Sequence, residues 1–152
     1  MRRKYILDAN LIVLYAVGLT DVRLIKAHKR LSNYRREDFD ILEALLLKAG
    51  EVTSLPNAWT EASNLLGPND SSPQQAEIFL TFQKLVEKLG CRYVPSAEAV
   101  VRAEFKFLGL TDSALLELAK AGFTILSVDA KLCIAAEHAG LKAQNFNHLR
   151  RL

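Results

Sequence analysis

The chain has 152 residues, of which 50% are hydrophobic and 24% are charged, and its formal net charge is +3. This length suits one domain that buries about 70% of its unfolded surface, and the composition excludes a disordered chain. The mild positive charge permits an anionic partner without requiring one. Cys91 and Cys133 fit no metal-ligand spacing, and two cysteines are too few for a disulfide scaffold. Both are therefore predicted to be reduced core thiols of a cytoplasmic protein.

The sequence is basic over Met1 to Lys4 and apolar over Tyr5 to Leu19, so a signal peptide must be considered. Asp8 and Asn10 interrupt the apolar run, and no small-residue cleavage site follows it. The run is also too short to cross a bilayer. Neither export nor a membrane span is expected.

The first predicted strand is Tyr5 to Leu7, which leads directly to Asp8. Leu11, Leu14 and Tyr15 recur at helical spacing and predict a helix behind it. Asp8 is thus expected at the carboxyl end of a strand, where an open α/β sheet forms its ligand crevice. The alternative is that Asp8 merely caps the helix that follows.

Strands and helices alternate along the rest of the chain, after a basic helical excursion over Thr20 to Leu31. The other predicted strands are Glu51 to Leu55, Cys91 to Val94, Thr124 to Val128 and Leu141 to Asn145. The other predicted helices begin near Asp38, Pro56, Gln74, Ser96, Thr111 and Ala130. Gly67 to Pro73 predicts a surface loop. The alternation predicts a single α/β domain, with a parallel sheet covered by helices on both faces.

Four acidic residues occupy places from which they can share one site. Asp8 and Asp129 each end a predicted strand, Glu61 lies on the polar face of a helix, and Asp112 lies near a helix start. Each also has an ordinary role, as a helix cap, a partner of the helix dipole or a solvated side chain. The spacing of the four acids alone does not decide between a shared site and these ordinary roles. The helix that enters the fourth strand is expected to start near the opposite edge of the sheet, so Leu108 to Thr111 would have to fold back.

Four short motifs carry these acids. They are Leu7-Asp8-Ala9-Asn10, Thr60-Glu61-Ala62-Ser63-Asn64, Leu110-Thr111-Asp112-Ser113-Ala114 and Ser127-Val128-Asp129. In this order and at these intervals, the motifs resemble those of the PIN-domain nucleases, which include the VapC-type toxins. The resemblance runs from Tyr5 to Leu149. It implies a three-layer PIN-like fold with a five-stranded parallel sheet in the order 3-2-1-4-5, in which strands one and four are neighbours.

The resemblance also implies roles for individual residues. The acids that it assigns to catalysis and metal binding are Asp8, Glu61, Asp112 and Asp129. Asn10 matches the polar residue that helps to position the first acid, and Ser127 matches the hydroxyl residue, usually Thr, two places before the last acid. Lys131 departs from the pattern, because many members carry a further acid there. This departure leaves open whether one or two metal ions bind.

The charge of such a cluster has a physical consequence. Four carboxylates about 5 Å apart, at an effective dielectric of about 20, repel one another by about 20 kcal/mol in total, more than the roughly 5–15 kcal/mol that stabilises a domain. The cluster must therefore be protonated or neutralised by cations. Oxygen ligands select Mg²⁺ or Mn²⁺ over Zn²⁺. His28, His138 and His148 show no metal-ligand spacing.

The expected function is that of a metal-dependent endoribonuclease, in which the divalent ion activates water and polarises the scissile phosphate. Asp8 and Asp129 are expected as direct ligands, Asp112 as a ligand or a holder of water, and Glu61 as a group acting through water. Contact with RNA is expected to be electrostatic. The main predicted substrate-binding residues are Lys26, Lys29, Arg30, Arg35 and Arg36, and the further candidates are Arg2, Arg3, Arg150 and Arg151.

Two other functions stay open. One is a PIN-like module that binds RNA or protein through a weakened metal site. The other, a phosphohydrolase acting on small substrates, is disfavoured because the chain has no glycine-rich phosphate loop. The resemblance further implies a homodimer and a possible cognate antitoxin protein. The side bearing Phe79 and Phe82 and the segment Phe105-Lys106-Phe107 are candidates for an interface, although core packing is the expected use of each.

Overall fold

The computed structural model describes residues 2–68 and 71–150, and the strands within them form one parallel sheet in the order β2-β1-β3-β4. The strands are β1 (Lys4–Leu7), β2 (Glu51–Thr53), β3 (Thr124–Ser127) and β4 (Lys142–Asn145). In the parallel register, Tyr5 lies opposite Val52 on one side and Thr124 on the other. The predicted class, an α/β fold with a parallel sheet and helices, is confirmed.

Nine helices occur within the described residues. They are α1 (Ala9–Thr20), α2 (Arg36–Leu47), α3 (Pro56–Leu66), α4 (Pro73–Leu89), α5 (Ser96–Ala99), α6 (Phe105–Leu108), α7 (Leu110–Ala119), α8 (Ala130–His138) and α9 (Phe146–Arg150). Between α1 and α2 the chain makes two 3₁₀ turns, Val22–Leu24 and Lys29–Leu31, instead of one helix. In the described ranges, no helix combines the length and the apolar run that a bilayer crossing needs.

The core lies around the two central strands and α1. Ile6 in β1 and Ile125 in β3 have no exposed surface, as expected of strands covered on both faces. α1 is buried almost all round and contacts α2, α3 and α4. This packing fixes the carboxyl ends of β1 and β3 side by side at one edge of the sheet.

The prediction of five strands was wrong, because Cys91 to Val94 forms only an isolated bridge. Cys91 pairs with Ser54 in parallel, and the Arg92 amide donates to the Ser54 carbonyl at 2.8 Å. Cys91, Arg92 and Tyr93 are exposed and only Val94 is buried, so the segment lacks the alternating buried side chains of a strand. For the same reason Cys91 is not a core thiol, whereas Cys133 is buried and burial raises the pKa of its thiol to about 11.

The long helix predicted from Ser96 is also absent, and two short helices, α5 and α6, stand in its place. Between them Val101 is 80% exposed, and Arg102 forms ion pairs with Glu104 and with Glu117 of α7. These ion pairs, and Gly109 with φ of 89°, turn the chain back towards the start of α7. Of the predicted loop Gly67 to Pro73, residues 69 and 70 lie outside the described residues, and Pro73 already begins α4.

Candidate functional site

Asp8 is held at the carboxyl end of β1 by two hydrogen bonds. Its Oδ1 accepts from the Ala9 amide at 2.8 Å, and its Oδ2 accepts from the Ser127 hydroxyl at 2.6 Å. The side chain caps α1, as its alternative role predicted, yet Asp8 is only 8% exposed. Burial raises the pKa of its carboxyl group, the hydrogen bonds from Ser127 and Ala9 oppose that effect, and the charge of Asp129 adds to it.

Ser127 joins the ends of β1 and β3. Its hydroxyl donates to Asp8 and accepts from the backbone amide of Asp129 at 3.0 Å. The side chain is fully buried, so no water competes for these bonds. Asn10, by contrast, is exposed, and within the described residues it makes no hydrogen bond to Asp8. Ser127 therefore positions the first acid.

Asp129 follows β3 and caps α8, where its Oδ1 accepts from the Leu132 amide at 3.2 Å. Its side chain is exposed at the mouth of the site. The capping role and a place beside Asp8 are thus compatible, because both β1 and β3 end at the same edge of the sheet and each leads directly into a helix.

Asp112 lies in the first turn of α7 and is partly buried. Burial first, and then the charges of Asp8, Asp129 and Glu61 in that order of size, raise its pKa to about 7. The expectation that this helix starts at the opposite edge was wrong. A helix that leads into a parallel strand runs antiparallel to it, so α7 begins at the edge where β3 ends.

Glu61 completes the group from α3. It is exposed, and its pKa is raised first by desolvation and then by the charge of Asp8. The structure therefore brings all four predicted acids into one electrostatic neighbourhood, although they span more than a hundred positions of the sequence.

These side chains fit a divalent cation in chemistry and in charge. Carboxylate oxygens are the ligands of Mg²⁺ and Mn²⁺, and their mutual repulsion is what a cation relieves. In the chain as described, however, no three His, Cys, Asp or Glu side chains already converge as a metal-binding group. Binding would thus require rotation of exposed side chains, of which Glu61 and Asp129 are the two with room to move.

The predicted substrate cations lie on the segment between α1 and α2, except Arg36, which begins α2. All five are exposed, and none forms an ion pair within the described residues: Lys26, Lys29, Arg30, Arg35 and Arg36. Lys29 lines an open cleft of about 610 Å³ together with Asn64, which lies one helical turn beyond Glu61 on α3. Of the five cations, Lys29 is thus placed near α3, the helix that carries Glu61.

The other predicted cations lie elsewhere. Arg2 and Arg3 precede β1 and are at the opposite edge of the sheet from Asp8. Arg150 is engaged within the protein, where its Nη2 is 2.8 Å from Asp38, and Arg151 lies outside the described residues. The Arg150 guanidinium also covers the Tyr34 ring at 4.3 Å from the centroid.

This contact between α2 and α9 was missed from the sequence. Asp38 is almost fully buried, and besides pairing with Arg150 it accepts from the Arg35 amide at 2.8 Å. The pKa of Tyr34, between them, is raised mainly by burial, and the charge of Asp8 contributes. The only sign in the sequence that Asp38 has a structural role was its place near a predicted helix start. Its ion-pair partner, Arg150, is 112 residues away and could not be inferred from spacing.

Comparisons with protein-family models, with curated proteins and with solved structures find no match for this chain.

Proposed function

We propose that the chain is a metal-dependent endoribonuclease whose site consists of Asp8, Glu61, Asp112 and Asp129. The observation that carries this proposal is the meeting of Asp8 and Asp129 at the carboxyl ends of the neighbouring strands β1 and β3, where the Ser127 hydroxyl bonds to the Asp8 carboxylate and to the Asp129 amide. The cluster lies between β1 and β3, where the chain's winding changes direction, and this is the place where open α/β sheets bind ligands. The resemblance of the four motifs to PIN-domain nucleases gives the reaction class.

Each side chain has a separate task in this proposal. Asp8, Asp112 and Asp129 would hold Mg²⁺ or Mn²⁺, and the exposed Glu61 would orient the attacking water. Once bound, such an ion supplies positive charge that lowers the pKa of water and polarises the phosphate. Ser127 keeps the Asp8 carboxylate in place through its 2.6 Å hydrogen bond.

The substrate class is proposed from the exposed cations that precede and begin α2. The unpaired cations Lys26, Lys29, Arg30, Arg35 and Arg36 would neutralise the phosphates of an RNA strand that leads to the acids. A small phosphorylated substrate would have no use for a row of cations of this length. The proposal places the protein in the cytoplasm, where the two free cysteines would stay reduced.

Cleavage of a labelled single-stranded RNA tests this function. We expect the parent protein to cut it in Mn²⁺ or Mg²⁺ and not in EDTA. Asp8→Asn should reduce the rate by about a hundredfold or more, since several kcal/mol of transition-state stabilisation would be lost. Asp40→Asn, which changes an exposed acid of α2 outside the site, should cut at the parental rate. A folded Asp8→Asn protein that cuts as fast as its parent would refute the proposal.

A second candidate is a PIN-like module that binds RNA or protein without cutting. One observation favours it, namely that no three metal-binding side chains in the described residues already converge. Lys131 stands at a place that is acidic in many PIN nucleases, and this departure also favours the binding module. Binding of RNA with no cleavage in saturating Mn²⁺ would support this candidate over the enzyme.

The resemblance also extends the proposal to protein partners, a second copy of the chain and a cognate antitoxin. The apolar groove along α4, lined by Phe79, Leu80, Phe82 and Val86, supports a contact with another protein, and Leu80 is 51% exposed. Phe79 and Phe82 themselves are partly buried against the core. Sedimentation of the pure protein distinguishes a dimer from a monomer.

A further inference from the structure

A second cleft, between α6 and α8, lies beside the acidic site. Its volume is about 370 Å³. The residues that matter to its chemistry are Phe107 on α6 and Lys131, Ile134 and His138 on α8. The lining is almost entirely apolar apart from the charged ends, which distinguishes it from the polar cleft at Lys29.

The apolar part of the cleft is an exposed aromatic ring opposite an exposed aliphatic side chain. Of the seven phenylalanines in the chain, all within the described residues, Phe107 alone is exposed, at 64%. Ile134 faces it from α8 and is 54% exposed. A ring left in water beside an apolar wall offers a stacking platform for a planar ligand.

The charged part of the cleft is positive. Lys131, Ile134 and His138 follow one another at i, i+3 and i+7, so they share one face of α8. Neither Lys131 nor His138 has an ion-pair partner in the part of the chain that the structure describes. The acid in the lining, Glu104, is already paired with Arg102 at 3.1 Å.

The cleft begins where the acidic site ends. Asp129 caps α8, and Lys131 follows two residues later in the first turn. Ile134 lies only about 7 Å farther along the helix axis than Asp129. On the other wall, Gly109 alone separates α6 from α7, the helix that carries Asp112. Both walls of the cleft are therefore continuous in the chain with elements that carry acids of the site.

We propose that the cleft binds an unpaired base of single-stranded RNA, with Phe107 stacking on the base and Lys131 contacting the adjoining phosphate. An RNA strand matches both parts of the cleft, because it combines flat apolar bases with regularly spaced negative charge. An apolar helix of a protein partner would bury the Lys131 ammonium group without neutralising it, at a cost in free energy. The inference rests on the proposed function for the identity of the polymer, and it gives Lys131 a role other than metal binding.

Binding of a fluorescent single-stranded oligoribonucleotide to the metal-free protein in EDTA tests the stacking. Phe107→Ala should weaken binding by about tenfold, the loss expected for one stacked base. Tyr93→Ala, which removes another exposed ring far from the cleft, should bind as the parent does. On a strand of equal length that lacks its bases, Phe107→Ala and the parent should bind equally.

The phosphate contact has its own test. Lys131→Ala should weaken binding to the normal and the base-free strand alike, and it should reduce the slope of log K against log salt by about 0.7. Lys84→Ala, which removes an exposed charge of α4, should leave that slope unchanged.

Three results would overturn the proposal. They are parental RNA binding by Phe107→Ala, an equal loss of binding on the base-free strand, and a change in sedimentation on Phe107→Ala that marks the cleft as a protein interface. Binding in EDTA needs no catalysis, so the cleft and the nuclease activity can fail separately. If Phe107 and Lys131 behave as expected but no RNA is cut in Mn²⁺, only the nuclease proposal fails.

Discussion

Asp112 is partly buried in the first turn of α7, and its carboxyl group faces the charges of three other acids. Its pKa is about 7 in the folded protein and near 3.8 when it is exposed to water. The folded state therefore holds the proton more tightly than the unfolded state does. The stability that this group contributes is fully present below about pH 4, falls as the pH rises towards 7, and stays low above that value.

We predict that the metal-free parent loses stability relative to Asp112→Asn between about pH 4 and pH 7. The asparagine does not titrate, so the difference between the two proteins isolates this carboxyl group. One proton limits the slope to at most about 1.4 kcal/mol per pH unit. Urea denaturation at several pH values measures it, and parallel curves for the two proteins would show that Asp112 titrates normally.

Ser127 is the residue whose removal should most directly disturb Asp8. Ser127→Ala removes the donor to a buried carboxylate and the acceptor of the Asp129 amide. We predict a loss of about 1–3 kcal/mol in the free energy of unfolding. Ser127→Thr keeps the hydroxyl and should lose less in the same denaturation experiment. Equal losses for both variants would mean that packing, and not the hydrogen bonds, sets the cost.

At the scale of elements, the contact between α1 and α2 is unusually close at Gly18. A Cβ atom placed on Gly18 would lie 2.1 Å from Cδ1 of Phe39, a ring that is buried. The glycine is present because the ring occupies the space of a side chain, and not because the backbone needs a positive φ.

We predict that Gly18→Ala destabilises the protein by about 1–3 kcal/mol despite its better helix propensity, because overpacking outweighs that gain. Phe39→Leu should free part of the space, so the double variant should lose less than the sum of the two single losses. Thermal unfolding of the four proteins measures the coupling. Strict additivity would show that the ring moves aside at no cost.

Sequence patterns predicted best the elements whose ends are marked by local residues. α3 begins at Pro56 and ends before Gly67 as predicted, since a proline in the first turn and a glycine after the last mark the ends of a helix. The wrong predictions have a common cause. Cys91 to Val94 has the composition of a strand, but its first three residues are exposed. Val100 and Val101, within the helix predicted from Ser96, face solvent. Periodicity cannot show whether a partner surface exists.

At the scale of the whole molecule, the sheet order accounts for the candidate site. β1 and β3 are neighbours, so Asp8 and Asp129 meet although they are 121 positions apart in the chain. The strand-then-aspartate repeat predicted this pair from sequence. Asp112 joins them because α7 runs antiparallel to β3 and so begins at the same edge. Spacing alone did not predict its exact place, which depends on how residues 96–109 fold and on the ion pair from Arg102 to Glu117, 15 residues away.

The binding of Mn²⁺ to the metal-free protein, followed by thermal unfolding, tests the shared acidic site most directly. At a concentration a hundredfold above the dissociation constant, the ion should stabilise the parent by about 2.7 kcal/mol, which raises Tm by roughly 5–10 °C in a chain of this size. Asp8→Asn should show little or no rise, and Asp40→Asn should rise as the parent does. An unchanged Tm for the parent in saturating Mn²⁺, or an equal rise for Asp8→Asn, would contradict a common metal site.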